Sequence, residues 1–101
     1  MATELHEWAV TALTALAHDS RLQVHRLLVQ VGEAGMSAGA IAERLDIPAS
    51  SLSFHLTHMQ AADMVQQRRQ GRSLIYSVNF ECMDALMGYL QENCCKGVEA
   101  S

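Results

Sequence analysis

Apolar residues recur along the first third of the chain at the spacing of amphipathic helices. One stripe follows the i, i+3, i+4, i+7 pattern and predicts a first helix over residues 5–16. Its apolar members are Leu5, Trp8, Ala9, Ala12, Leu13 and Leu16. A polar run at 18–20 interrupts the stripe, and Asp19 or Ser20 can cap a second helix that stops near Gly32.

A helix, a tight turn and a second helix are predicted over residues 37–62. The hydroxyl of Ser37 can satisfy free backbone donors, so a short third helix should start after it. Pro48 disfavours the helical conformation at Ile47, and residues 46–48 therefore predict a turn. A fourth helix should then run over 49–62.

The hydrophobic period changes after Asp63. Residues 64–69 and 72–78 flank Gln70 and Gly71, which predicts a β-hairpin over 64–78. Asn79 can cap a final helix, predicted over 79–95, whose apolar positions keep heptad-like spacing. The predicted fold class is mainly α with a small β-hairpin.

Length and composition indicate one small domain, 1–101. The chain has 101 residues, is 50% hydrophobic and carries a formal charge of -4. A single core of this size is marginal, so a dimer would add apolar burial. No apolar run is long enough to span a membrane and the start lacks a secretion signal, so we expect a cytoplasmic protein with reduced thiols and no membrane partner.

Helix, turn, helix and basic hairpin follow one another in the order needed for docking in a DNA major groove, with a wing beside it. Segments 49–56, 62–65 and 68–78 resemble the ArsR family of bacterial winged-helix repressors, and the likeness covers about residues 5–95. The resemblance implies a winged helix-turn-helix homodimer that pairs through helices 5–16 and 79–95. It also implies binding to double-stranded operator DNA and release when a metal or metalloid binds.

The predicted DNA contacts combine a polar helix with a basic wing. Hydroxyls and imidazoles can bond base edges or phosphates, whereas guanidinium groups suit phosphates or a minor groove. The helix candidates are Ser50, Ser51, Ser53, His55, Thr57 and His58, and the wing candidates are Arg68, Arg69 and Arg72. Family members commonly carry Gln, Lys and Gly near positions where this chain has Ala49, Thr57 and Asp63.

The net charge opposes non-specific DNA binding, but it is an average. Three of the seven basic residues lie within positions 68–72, so the hairpin tip is locally positive. These charges predict modest DNA affinity with a marked salt dependence. Taken alone, an Arg-rich turn also fits a merely solvated tip.

Three cysteines, an odd number in a reducing compartment, favour reactive or metal-binding thiols. Thiolates in pairs or triplets select soft ions, and trivalent arsenic or antimony prefers three sulfurs. Adjacent Cys94 and Cys95 can grip one ion only if the helix frays or ends there, because neighbouring side chains diverge by about 100° on a helix. The pair resembles ArsR members with C-terminal cysteines.

Cys82 is the candidate third ligand. It lies about 18 Å from Cys94 along a continuous helix, so it cannot join its own chain's pair. Antiparallel pairing of two final helices near Gly88 would bring it level with Cys94 of a second subunit. Alternatively, Cys82 is a small core residue, which leaves a two-sulfur site suited to an organoarsenical. A further alternative is that Cys94 and Cys95 belong to an inert tail.

The predicted function is an arsenic(III)-responsive transcriptional repressor. Its inducer is As(III), with Sb(III) or an organoarsenical as alternatives, and it needs no organic cofactor. The sequence offers no activated nucleophile with a base, no phosphate-binding Gly loop and no paired carboxylates, so we do not expect an enzyme. A thiol redox sensor of the same fold and a metal-handling module without DNA binding are the other hypotheses.

Overall fold

A computed structural model describes residues 2–98 of the chain. Within them the chain folds as helices and a short antiparallel sheet, which confirms the predicted class of mainly α with a small β-hairpin. The elements in order are α1 (Ala2–Leu16), α2 (Asp19–Val31), a 3-10 turn (Gly32–Ala34), β1 (Met36–Ser37), α3 (Ala38–Leu45), α4 (Ala49–Ala61), β2 (Val65–Gln70), β3 (Ser73–Val78) and α5 (Phe80–Gln91).

Two apolar clusters hold these elements together. The larger one joins α2, α3 and α4 to the base of the hairpin, and its fully buried side chains include Leu28, Ile41, Leu56 and Met59. The smaller one lies between α1, the end of α4 and α5, and is rich in alanine: Ala9, Ala12, Ala15, Ala62, Met64 and Leu86. Small side chains let α1 approach its neighbours closely, so α1 is packed against the end of α4 as well as against α5.

The sheet has the strand order β1-β3-β2, with both pairings antiparallel. The predicted hairpin is present, and Gly71 takes a positive φ of 62° in the two-residue loop between Gln70 and Ser73. The edge strand β1 was not predicted. It has only two residues, Met36 and Ser37, which is too short to show the alternation that marks a strand in sequence.

Two helix starts agree with the prediction and one does not. Ser37 Oγ accepts from the Ala40 N–H at 3.2 Å, and Asn79 Oδ1 accepts from the Cys82 N–H at 3.2 Å, so both capping predictions are confirmed. The cap of α2 is His18, whose Nδ1 accepts from the Ser20 N–H, and not Asp19 or Ser20 as predicted. An imidazole nitrogen here does what a carboxylate or hydroxyl usually does.

The last helix is shorter than predicted. We expected it to reach residue 95, but α5 ends at Gln91 and residues 92–96 form turns. Asn93 and Cys95 both have a φ of 63°, a left-handed conformation that a continuing helix does not contain. The two neighbouring cysteines therefore lie beyond the helix. None of the helices within residues 2–98 has both the length and the apolar character needed to cross a membrane.

Candidate DNA interface and cysteine pair

The turn between α3 and α4 sets the angle of the candidate recognition helix. Asp46 ends α3 in the left-handed conformation, with φ 55° and ψ 48°, and its N–H caps the carbonyls of the last turn. The Ile47 N–H donates to the Ala42 carbonyl at 3.0 Å, and extended Pro48 then starts α4. Because α3 packs on α4, this connection holds the two helices as a helix-turn-helix unit.

The fourth helix has one buried and one exposed face. Its buried side chains are Leu52, His55, Leu56 and Met59, at i, i+3, i+4 and i+7. Five of the six predicted contact residues are exposed: Ser50, Ser51, Ser53, Thr57 and His58. The Thr57 hydroxyl donates to the Ser53 carbonyl at 2.9 Å, which leaves its lone pairs to accept from a ligand. These five residues supply a polar outward face.

His55 does not belong to that face, so the prediction that it points outward is wrong. Its side chain is 8% exposed, and its ring centroid lies 4.6 Å from that of His18. The Arg21 guanidinium donates to His55 Nδ1 at 3.5 Å and to the Ala15 carbonyl at 2.6 Å. His55 therefore lies on the inner side of α4 and packs against the start of α2.

Stability should fall as the pH drops below the ordinary histidine pKa of about 6.5. Burial lowers the pKa of His25, and burial together with the charges of His18, Arg21 and His58 lowers the pKa of His55. Between about 6.5 and these lowered values, the unfolded chain binds protons that the folded chain does not. The stabilising contribution is thus complete above about pH 6.5 and is lost as the pH falls through this window. Urea midpoints measured across the range provide the check.

A matched pair of variants separates the buried imidazole from an exposed one. His55→Gln should flatten the fall in stability between pH about 7 and 5, since it removes one group with a lowered pKa. His58→Gln should change the slope less, because it removes only the smallest of the effects that lower the pKa of His55. Equal slopes for the two variants would contradict the assignment to His55.

The three arginines of the wing are not equivalent. Arg68 donates to the Glu33 carbonyl at 3.3 Å and to the Ala34 carbonyl at 2.8 Å, so its guanidinium ties β2 to the 3-10 turn. Arg69 is the next residue along the strand and points to the opposite face, and Arg72 is exposed in the hairpin loop. The positive charge available to a phosphate is therefore carried mainly by Arg69 and Arg72.

The salt dependence of DNA binding should distinguish these arginines. Arg72→Ala is expected to lower the slope of log K against log salt concentration by about 1 per subunit, or about 2 for a dimer, because each phosphate contact releases about one counterion. Arg68→Ala should change that slope less, since this side chain already bonds backbone carbonyls. Fluorescence anisotropy on one labelled duplex at several salt concentrations measures both. Identical slopes for the two variants would contradict this division.

The turn after α5 brings the two neighbouring sulfurs together. Cys94 Sγ and Cys95 Sγ are 3.3 Å apart and both residues are exposed. A disulfide bond measures about 2.05 Å, so these are free thiols in contact. Two sulfurs each about 2.3 Å from one ion can be at most about 4.6 Å apart, and the observed separation is within that reach. Ending the helix at Gln91 removes the divergence that adjacent helical side chains would have.

Cys82 is chemically unlike the pair. It is half-buried near the start of α5, and burial raises the pKa of its thiol, as do the carboxylates of Asp63 and Glu81. A raised pKa keeps sulfur protonated, and a protonated thiol is a poor ligand for a soft ion. Among the described residues of one subunit, no three His, Cys, Asp or Glu side chains gather as a metal site would require.

Two hydrogen bonds that the sequence did not indicate connect α1 to α5 and to the end of α4. The Trp8 indole N–H donates at 3.0 Å to the carbonyl of Ala62, the residue that caps the end of α4. Near the start of α1, His6 Nδ1 is hydrogen-bonded to the Tyr89 hydroxyl of α5, and the two rings meet edge to face. Both partners are more than 50 residues away in sequence, so no local pattern reveals these contacts.

A polar recognition helix, a basic hairpin beside it and a helical scaffold behind define a winged helix-turn-helix DNA-binding regulator. A family model described as a helix-turn-helix domain matches residues 16–68. The nodulation protein NolR of Rhizobium meliloti is 32% identical over 92 residues, covering 88% of this chain and 73% of NolR. The chain belongs to the helix-turn-helix family of transcriptional regulators.

Solved structures agree with this assignment. HlyU from Vibrio cholerae superposes with a TM-score of 0.71 at 27% identity, covering 89% of this chain and 95% of HlyU. A winged helix-turn-helix DNA-binding domain from Mycobacterium bovis, described as homodimeric and as a possible ArsR-family regulator, superposes with a TM-score of 0.72 at 22% identity. That alignment covers 99% of this chain and 93% of the other and supports the fold alone. Two further relatives, YgaV of Escherichia coli and HlyU of Vibrio cholerae, are named as a transcriptional regulator and a transcriptional activator, which agrees with the prediction that the chain is not an enzyme.

Proposed function

We propose that the protein is a homodimeric repressor that binds operator DNA and releases it when trivalent arsenic binds Cys94 and Cys95. The observation that carries the proposal is the 3.3 Å contact between two exposed thiols. Soft thiolates prefer a thiophilic ion, and a pair already in contact loses little conformational freedom on binding one.

The dimer would form through α1 and α5. Four of the nine large apolar side chains that are exposed among the described residues lie on these two helices: Val10 and Leu13 on α1, and Met87 and Leu90 on α5. An apolar surface of this kind on a small domain is typical of a protein interface. A twofold dimer places two copies of α4 about 34 Å apart, one DNA turn, so that each can enter a successive major groove.

A two-sulfur site is the form that the geometry favours. The burial and raised pKa of Cys82 argue against a third sulfur from this residue. A solvent molecule, a small thiol or an organic substituent on arsenic would complete the coordination. A monosubstituted trivalent arsenical, which needs only two sulfurs, should therefore bind at least as well as arsenite.

Ligand binding would act on DNA through α1. Fixing the turn after α5 would restrict the end of that helix, where Tyr89 bonds His6 of α1. The same helix holds the end of α4 through Trp8 and Ala62. Coupling of about 1 to 3 kcal/mol, the usual range for allostery, weakens DNA binding by about five- to 150-fold.

The test is a titration with arsenite of the protein bound to a fluorescence-labelled promoter duplex. Cys94→Ser and Cys95→Ser should each abolish the release that the unmodified protein shows, because one sulfur cannot chelate the ion. Cys82→Ser is the matched control and should respond as the unmodified protein does. Normal release from both Cys94→Ser and Cys95→Ser would place the sensing site elsewhere, and loss of release in Cys82→Ser would favour a three-sulfur site shared between subunits.

Redox sensing is the second candidate, because the same contact favours oxidation of the pair. Two exposed thiols at 3.3 Å can lose two electrons and two protons to a peroxide and form one disulfide. Adding peroxide and arsenite to separate samples of the DNA complex distinguishes the two functions. Release by peroxide alone, reversed by a reductant, would replace arsenic with an oxidant as the signal.

A further inference from the structure

One exposed residue of the recognition helix is apolar. Phe54 is 61% exposed, and it is the one exposed side chain among the five aromatic residues Trp8, Phe54, Tyr76, Phe80 and Tyr89. Burying a phenylalanine stabilises a fold by about 1.5 to 3 kcal/mol, and this position forgoes much of that gain. An aromatic ring exposed at this place is therefore available to contact a partner.

Its position on α4 is central to the outward face. The buried residues Leu52, Leu56 and Met59 fix the direction of the core. At about 100° per residue, Phe54 lies nearly opposite to their mean direction. Ser50 is one turn before it and Thr57 one turn after it, and both are exposed. A helix docked by this polar face brings the ring against whatever the neighbouring hydroxyls contact.

The ring is also held in place. Its centroid lies 4.6 Å from that of His58, with the planes at 68°, in an edge-to-face arrangement. Contacts of this geometry are favourable between aromatic rings. This contact restricts the rotamers of the ring and so lowers the conformational entropy that is lost when the ring meets a partner.

We propose that Phe54 reads the 5-methyl group of a thymine in the major groove. Each base pair presents a distinct pattern of donors and acceptors there, and the thymine methyl is the apolar feature of that surface. Serine and threonine hydroxyls bond either donors or acceptors and discriminate weakly, whereas a phenyl ring gains only from an apolar partner. The inference extends the DNA-binding class of the protein to one required thymine in each half-site.

The test removes that methyl group and nothing else. A duplex selected from a random library for tight binding by the full chain is resynthesised with deoxyuridine in place of thymine, one symmetric pair of positions at a time. Loss of one buried methyl group weakens binding about fourfold, so two half-sites should give about 15-fold at one thymine position. Binding is followed by fluorescence anisotropy at fixed salt.

Variants show whether the effect belongs to Phe54. Phe54→Ala should lose a similar factor on the thymine duplex and lose nothing more on the uracil duplex, while Ser50→Ala should keep the full sensitivity to uracil. Phe54→Leu, which retains an apolar contact, should bind and keep part of the preference. The proposal is overturned if no thymine position responds, if Phe54→Ala remains sensitive to uracil, or if Phe54→Ala binds as tightly as the unmodified protein. Folded Phe54→Leu that binds no duplex would also overturn it.

Discussion

Replacing Gly35 with alanine is expected to lower the free energy of unfolding by about 3 kcal/mol or more. Gly35 has φ 71° and ψ -176°, a region that is almost closed to other residues. A Cβ atom there would lie 2.5 Å from the Tyr76 carbonyl oxygen and 2.7 Å from Ile75 Cγ2. The substitution therefore forces the segment before β1 away from β3. Urea unfolding followed by circular dichroism measures the loss.

Two other glycines provide graded controls for this prediction. Gly32 also has a positive φ, 82°, but a Cβ there would meet nothing within 4 Å, so Gly32→Ala should be destabilising through backbone strain alone. Gly39 lies in α3 with open space around it, and Gly39→Ala should be neutral or slightly stabilising. If Gly35→Ala lowers the free energy of unfolding no more than Gly32→Ala does, β3 can shift to accommodate the added Cβ atom.

If the proposed arsenite response is transmitted through α1, Trp8→Phe should reduce the arsenite-induced loss of DNA affinity by up to about fivefold. Phenylalanine keeps an aromatic ring against α4 but removes the N–H that donates to Ala62. A hydrogen bond contributes about 1 kcal/mol, and this is the free energy by which α1 and the end of α4 would be less tightly coupled. The measured quantity is the ratio of dissociation constants with and without arsenite.

Thr11→Ala is the control on the same helix. Its hydroxyl donates to the Glu7 carbonyl within α1 and is exposed, so its loss should not alter the coupling. An unchanged ratio in Trp8→Phe would mean that the signal bypasses α1. If the unmodified protein shows no response to arsenite, the proposed ligand is at fault, and the same variant can be examined with peroxide.

Much of the recognition unit could be predicted because its signals are local. Ser37 and Pro48 fix a helix start and a turn through their own chemistry, and Gly71 permits the hairpin loop. The inward position of His55 could also be predicted from its spacing to the apolar residues of the helix. It lies three residues after Leu52 and four before Met59, which places it on the buried face whatever its polarity.

Other features depend on partners far along the chain and leave no local pattern. Arg68 donates to carbonyls 34 and 35 residues earlier in the chain. Its residue type alone indicates a phosphate contact, whereas these hydrogen bonds show that it ties β2 to the 3-10 turn. The cysteine contact depends on left-handed conformations at Asn93 and Cys95, which neither residue type requires. The pair was visible in the sequence, and Asn93 and Gly97 indicated that the helix could end near it, but nothing indicated the left-handed conformation of Cys95.

The junction between the wing and α5 consists of a single residue. Strand β3 ends at Val78, α5 begins at Phe80, and Asn79 between them caps the helix with its side chain while its N–H donates to the Met64 carbonyl at 3.1 Å. A linker this short has no slack. Rotation of α5 about its axis would therefore move the hairpin as well. A few glycines inserted after Asn79 should uncouple the two, so that the helix could turn while the wing stays in place.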